Sequence, residues 1–87
     1  MPELATTSRF RRAASKLPSE VARELAEKME LLRIDPFHPL LHTKALSGKM
    51  TNVYSFRIGR DWRALFEFMA PNGILLTDVA HRKDIYC

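Results

Sequence analysis

The chain has 87 residues, 46% hydrophobic and 28% charged, and a formal net charge of +4 from 14 Lys and Arg against 10 Asp and Glu. Those proportions sit near globular averages and argue against disorder, and the length predicts one small domain, 1–87, with a modest core. No apolar run reaches the ~18 residues of a membrane span, no leader pattern opens the sequence, and a single cysteine, Cys87, has no partner for an internal disulfide, so a cytoplasmic protein with no membrane contact is expected.

Charge is unevenly spread. Up to residue 43 there are seven basic and six acidic side chains, and beyond it seven basic and four acidic. The excess lies in the second half, which suits a polyanionic partner there.

In chain order, Glu3–Thr6 reads as a possible short strand. Thr7 and Ser8 are N-cap candidates, and Phe10, Ala13, Ala14 and Leu17 fall at helical spacing. Pro18 interrupts, because proline is tolerated in a first helical turn but not in the middle. Val21, Leu25, Met29 and Leu32 then form an apolar stripe, with Glu24 and Lys28 in the favourable i,i+4 order on the polar side. The expectation is a helical hairpin over residues 8–16 and 19–34, ended by Asp35-Pro36. Residues 35–50, with two prolines and Gly48, read as a connecting loop.

From there the apolar period changes from 3.6 to 2. Thr51–Ile58, Trp62–Ala70 and Ile74–Arg82 are rich in β-branched and aromatic residues and are separated by Gly59-Arg60-Asp61 and Pro71-Asn72-Gly73. The predicted fold is α+β: the N-terminal helical hairpin packs on one face of a small antiparallel sheet of three long strands, plus the possible short N-terminal strand.

A three-residue loop at 59–61 sets Ile58 opposite Trp62, Arg57 opposite Arg63, Phe56 opposite Ala64 and Tyr54 opposite Phe66. The aromatic positions then share the helix-covered face, Trp62 among them as packing. Ser55, Arg57, Arg63 and Glu67 take the other face. Two arginines directly opposed across a ladder repel, at a cost of up to about 1 kcal/mol. A second loop of two residues (72–73) or four (70–73) gives the third strand one parity, with Leu75, Thr77 and Val79 toward the core and Asp78, Ala80 and Arg82 on the arginine face. Three guanidinium groups thus converge on an open sheet surface, a fork-shaped cationic set suited to phosphate. The alternative is a solvated face on which Asp61, Glu67, Asp78 or Asp84 pairs with them.

The run Tyr54-Ser55-Phe56-Arg57-Ile58-Gly59-Arg60-Asp61-Trp62-Arg63-Ala64-Leu65-Phe66, then Asp78-Val79-Ala80-His81-Arg82-Lys83-Asp84-Ile85-Tyr86, resembles the RelE/ParE toxin superfamily in order and spacing. So does the first half, with its hairpin broken at Leu17-Pro18 and Pro39-Leu40 leading to Leu46-Ser47-Gly48. The resemblance implies the toxin of a type II toxin–antitoxin system, neutralised by a cognate antitoxin and touching operator DNA only through that complex. RelE-like members cut mRNA in the ribosomal A site, whereas ParE-like members inhibit DNA gyrase. The RelE-like branch is favoured and the gyrase inhibitor is the alternative, since a pure gyrase binder has no chemical use for the set matched here.

That set is Arg57, Arg63, Arg82 and Tyr86 as catalytic residues, with neither metal nor cofactor. The implied reaction is attack of a ribose 2′-OH on the neighbouring phosphate. Arg57 and Arg63 stabilise charge, Arg82 holds the phosphate or assists the leaving group, and Tyr86 stacks on a base or orients the 2′-OH. Ser55 departs from the pattern, standing where some RelE-like members carry a lysine, so the acid and base roles stay open. Lys44, Lys49, Arg60 and Lys83 are candidate RNA contacts, each with plain solvent exposure as the alternative. His81 has the side chain best suited to proton transfer, but strict alternation turns it coreward, where a structural histidine is the other reading. His38 and His42 lie four apart with Pro39 between them and no third ligand, a poor zinc pattern.

Overall fold

In a computed structural model that describes residues 2–46 and 52–85, the chain runs β1 (Glu3–Thr6), α1 (Ser8–Ser15), α2 (Ser19–Ile34), a 3-10 turn (Pro39–Leu41), β2 (Lys44–Ala45), β3 (Val53–Ile58), β4 (Trp62–Met69) and β5 (Gly73–His81). The strands form one sheet in the order β1-β5-β4-β3-β2. Both helices lie within about a residue of their predicted bounds. Two features of the strand pairing differ from expectation. The short first strand pairs with β5 in parallel, so the sheet is mixed, and the predicted connecting loop contains β2, which pairs antiparallel with β3.

Thr7 explains how β1 and α1 share a junction. Its hydroxyl accepts the Phe10 N–H at 3.0 Å, capping the helix, and donates to the Thr77 carbonyl at 3.1 Å. Its own N–H donates to Leu76 O, so the chain leaves the sheet edge and enters the helix within one residue. Pro18 starts α2 without a side-chain cap, and its carbonyl accepts the Ala22 N–H.

Leu25 and Leu32 of the predicted stripe are buried, and Val21 and Met29 pack beside them. They meet Phe56, Ile58, Ala64, Phe66, Ile74, Leu76 and Val79 on the covered face of the sheet, with Leu41 of the 3-10 turn also fully buried. Alternation along β3 and β4 is as the sequence predicts, and Ile58 pairs with Trp62 across a turn in which Gly59 takes φ +64°. Glycine adopts that left-handed backbone at little steric cost.

The third long strand departs from the predicted parity. Ile74 and Leu76 are the buried residues near its start, and Leu75 faces the other way opposite Glu67. The cause is a pair of compensating irregularities. The β4–β5 loop has three residues, 70–72, which inverts the expected alternation, and a β-bulge at Thr77 inverts it back between the Phe66–Leu76 and Leu65–Asp78 pairs. Beyond the bulge Val79 is buried and Ala80 pairs with Arg63, so the end of the sheet that carries the arginines keeps its predicted faces.

Candidate functional site

The face of the sheet away from the helices is where the basic side chains gather. Arg57 on β3 and Arg63 on β4 are direct cross-strand partners, and Lys44 on β2 pairs with Ser55 on β3. Just past β5, the Arg82 N–H donates to the Asp61 carbonyl at 2.7 Å, which ties the chain after the strand to the β3–β4 turn. His42, Lys44, Ser55, Arg57, Arg63 and Arg82 line one open pocket of about 340 Å³. No carboxylate is among them.

The acidic residues that might have neutralised the cluster are mostly engaged elsewhere or peripheral. Asp78 pairs with Arg9 of α1 at 3.4 Å and accepts the Val79 N–H. Glu67 and Asp84 form no ion pair among the described residues. Asp61 lies 3.5 Å from the Arg82 Nε, but the two side chains are 46% and 54% exposed, and an open pair of this kind holds its partners weakly. Arg63 is better fixed. Its Nη1 donates to the Arg60 and Trp62 carbonyls, both at 2.9 Å, leaving Nε and Nη2 without a protein partner among the described residues. Arg57 has neither a hydrogen bond nor an ion pair there.

Such a cluster is costly for a sheet and useful to an anion. Arg57→Ala is therefore expected to leave stability unchanged or raise it by up to about 1 kcal/mol, because it removes the like-charge cross-strand pair. Thermal unfolding of the two proteins at low and at high salt checks this, and the difference should shrink as salt screens the repulsion. A clear loss of stability would mean that Arg57 holds the fold together.

Arg57, Arg63, Arg82 and Lys44 thus come together. Arg60 does not: it sits at the tip of the β3–β4 turn beside Glu20, Glu24 and Asp61. His81 pairs with Trp62 on the helix-covered side, its ring edge-on to the indole at 5.4 Å, and its Nδ1 accepts the Lys83 N–H. That is the orientation alternation suggested. Lys83 lies outside the pocket lining, and Lys49 and Tyr86 fall outside the described residues.

Sequence reasoning missed His42. In sequence it stands only as half of a pair with His38, yet the His38 Nδ1 accepts the Leu40 N–H and starts the 3-10 turn, while His42 lines the arginine pocket. Nothing local marks the difference, because it depends on β2 pairing with β3. Among the described residues no three His, Cys, Asp or Glu side chains cluster as a metal site would require.

No family model matches the chain, and no curated protein matches its sequence. The fold, by contrast, has close counterparts among solved structures. A chain of the toxin–antitoxin complex RelBE2 from Mycobacterium tuberculosis is similar with a TM-score of 0.79 at 24% identity, covering 94% of this chain and 100% of that one. YafQ from E. coli has a TM-score of 0.82 at 10% identity, with all of both chains covered. The YoeB/ParE toxin from Agrobacterium tumefaciens has 0.79 at 14% identity, with 91% and 96% covered. The chain shares the fold of these toxins.

Proposed function

We propose that the chain is the toxin of a type II toxin–antitoxin pair and acts as a ribosome-dependent endoribonuclease, cutting mRNA in the A site and so stopping translation. The observation that carries this reading is the open pocket in which Arg57, Arg63 and Arg82 converge with no carboxylate among its described lining residues. The fold supports it, since the similar structures are toxins, several in complex with an antitoxin. A cognate antitoxin is the protein partner, and operator DNA is contacted only through the complex. No described helix is long and apolar enough to cross a membrane, and the site of action is the cytoplasm, where the ribosomes are.

The reaction as proposed draws on protein, RNA and solvent water. The ribose 2′-oxygen loses its proton and bonds to the adjacent phosphorus while the bond to the 5′-oxygen breaks, leaving a 2′,3′-cyclic phosphate and a 5′-hydroxyl. Negative charge accumulates on the non-bridging oxygens in the transition state. Arg57 and Arg63, opposed on neighbouring strands, stabilise that charge with permanent cations whose donors are arranged in a fork. Arg82 approaches from the β5 side and steadies the departing 5′-oxygen. Tyr86 follows four residues later and is assigned to stacking on a base or orienting the 2′-OH. Lys44 and Lys49 contribute to holding the backbone, and Arg60, His81 and Lys83 have at most peripheral contact with it.

The test is cleavage of a reporter mRNA in a reconstituted bacterial translation reaction, with purified, antitoxin-free protein and cut sites mapped by primer extension. Codon-phased cuts that require ribosomes are expected. Intact mRNA with folded protein would overturn the reading, and inhibition of gyrase supercoiling in a parallel assay would replace it with the binding toxin.

A further inference from the structure

The arginine pocket lacks an evident proton acceptor until its β2 side is considered. Arginine cannot give up its charge in a protein, a lysine ammonium is a donor at neutral pH, and a serine hydroxyl is a poor base. His42 is the one imidazole among the described residues lining the pocket. We propose that His42 is the general base of the reaction, taking the proton from the attacking 2′-OH. The assignment rests on the endoribonuclease reading given above.

The chain is built to hold this residue at the surface. Leu41, immediately before it, is fully buried, and its N–H donates to the His38 carbonyl at 2.9 Å. Thr43, immediately after it, donates its hydroxyl to the Pro36 carbonyl, and Lys44 is paired into the sheet. Between these anchors His42 is exposed and left-handed, with φ 51° and ψ 44°. Few non-glycine residues adopt that backbone, and they tend to do so where the surroundings fix it. The 3-10 turn therefore fixes the backbone from which the imidazole joins the guanidinium groups in lining the pocket.

Sheet order gives the geometry its direction. From one edge inward come β2, β3, β4 and β5, so His42 and Lys44 flank the Arg57–Arg63 pair on one side and Arg82 flanks it on the other. In a displacement at phosphorus the entering and leaving oxygens lie roughly in line on opposite sides. A phosphate seated on Arg57 and Arg63 then has its 2′-oxygen toward His42 and its 5′-oxygen toward Arg82. The imidazole takes the 2′-OH proton as the oxygen–phosphorus bond forms. Solvent water at the open rim protonates the departing 5′-oxygen, and the imidazolium returns its proton to solvent. The charged groups that line the pocket with His42, among the described residues, are Lys44 from β2, Arg57 from β3, Arg63 from β4 and Arg82 beyond β5.

The experiment is single-turnover cleavage on programmed ribosomes between about pH 5.5 and 8, the range in which imidazole changes charge. Wild type is compared with His42→Asn, which tolerates the left-handed backbone and removes the base. The wild-type rate should rise with pH. The variant should be about 10²–10⁴-fold slower at the upper end, the usual span for a lost proton-transfer group, and should lose the rise. His42→Ala should regain part of its rate when imidazole is added, with ribosome binding unchanged. A His42→Asn protein that keeps the wild-type rate and pH profile overturns this assignment alone. Wild-type protein that leaves ribosome-bound mRNA intact overturns the assignment and the endoribonuclease reading together.

Discussion

Arg63→Ala is expected to slow ribosome-dependent mRNA cleavage by about 10²–10³-fold, the usual cost of removing one preorganised donor to a developing oxyanion. Arg63 is the central member of the cluster, with Arg57 opposite on β3 and Ala80 opposite on β5. Two carbonyls already hold its Nη1, so the side chain spends little entropy to meet a phosphate with its remaining donors. Arg63→Lys restores a charge but loses the fork and should recover only part of the rate. The fold should survive either change. Alanine forfeits two hydrogen bonds worth about 1 kcal/mol each and also relieves the repulsion with Arg57. Single-turnover rates beside thermal midpoints would separate the two effects, and an Arg63→Ala protein that is folded and fully active would remove the pocket from the mechanism.

The opposed arginines were legible because everything that fixes them is local. Gly59-Arg60-Asp61 sets a short loop, the loop sets the register, and alternation puts both side chains on one face. Leu75 was misread because two irregularities, a three-residue loop and the bulge at Thr77, cancel beyond it, and neither leaves a composition signal. The same cancellation explains why Asp78 and Ala80 keep the expected face although Leu75 does not. β2 is two residues long and carries no periodicity, so the strand that delivers Lys44 and orders the approach of His42 was hidden in a predicted loop. The parallel pairing of β1 with β5 joins residues 3 and 73, a contact no short-range pattern encodes.

The two faces of β4 have different purposes, and a core substitution on the same strand separates them. Phe66→Ala is expected to destabilise the protein by about 3–5 kcal/mol, the range for truncating a buried phenylalanine and leaving a cavity. Phe66 is fully buried, and its ring centroid lies 5.4 Å from Phe68, 5.6 Å from Tyr54 and 6.0 Å from Phe56. It also stands beside the point where the β4–β5 register shifts, so the sheet has little freedom to close around the gap. Small domains have only about 5–15 kcal/mol in total, and at the bottom of that range much of this variant would be unfolded. Phe66→Leu, which keeps more of the volume, should cost less. Urea denaturation of the three proteins gives these differences, provided the m-values agree. Any loss of cleavage by Phe66→Ala should follow its unfolded fraction and diminish under conditions that refold it. Arg63→Ala should stay inactive while folded. A Phe66→Ala protein within 1 kcal/mol of wild type would mean that the core is not organised around this ring.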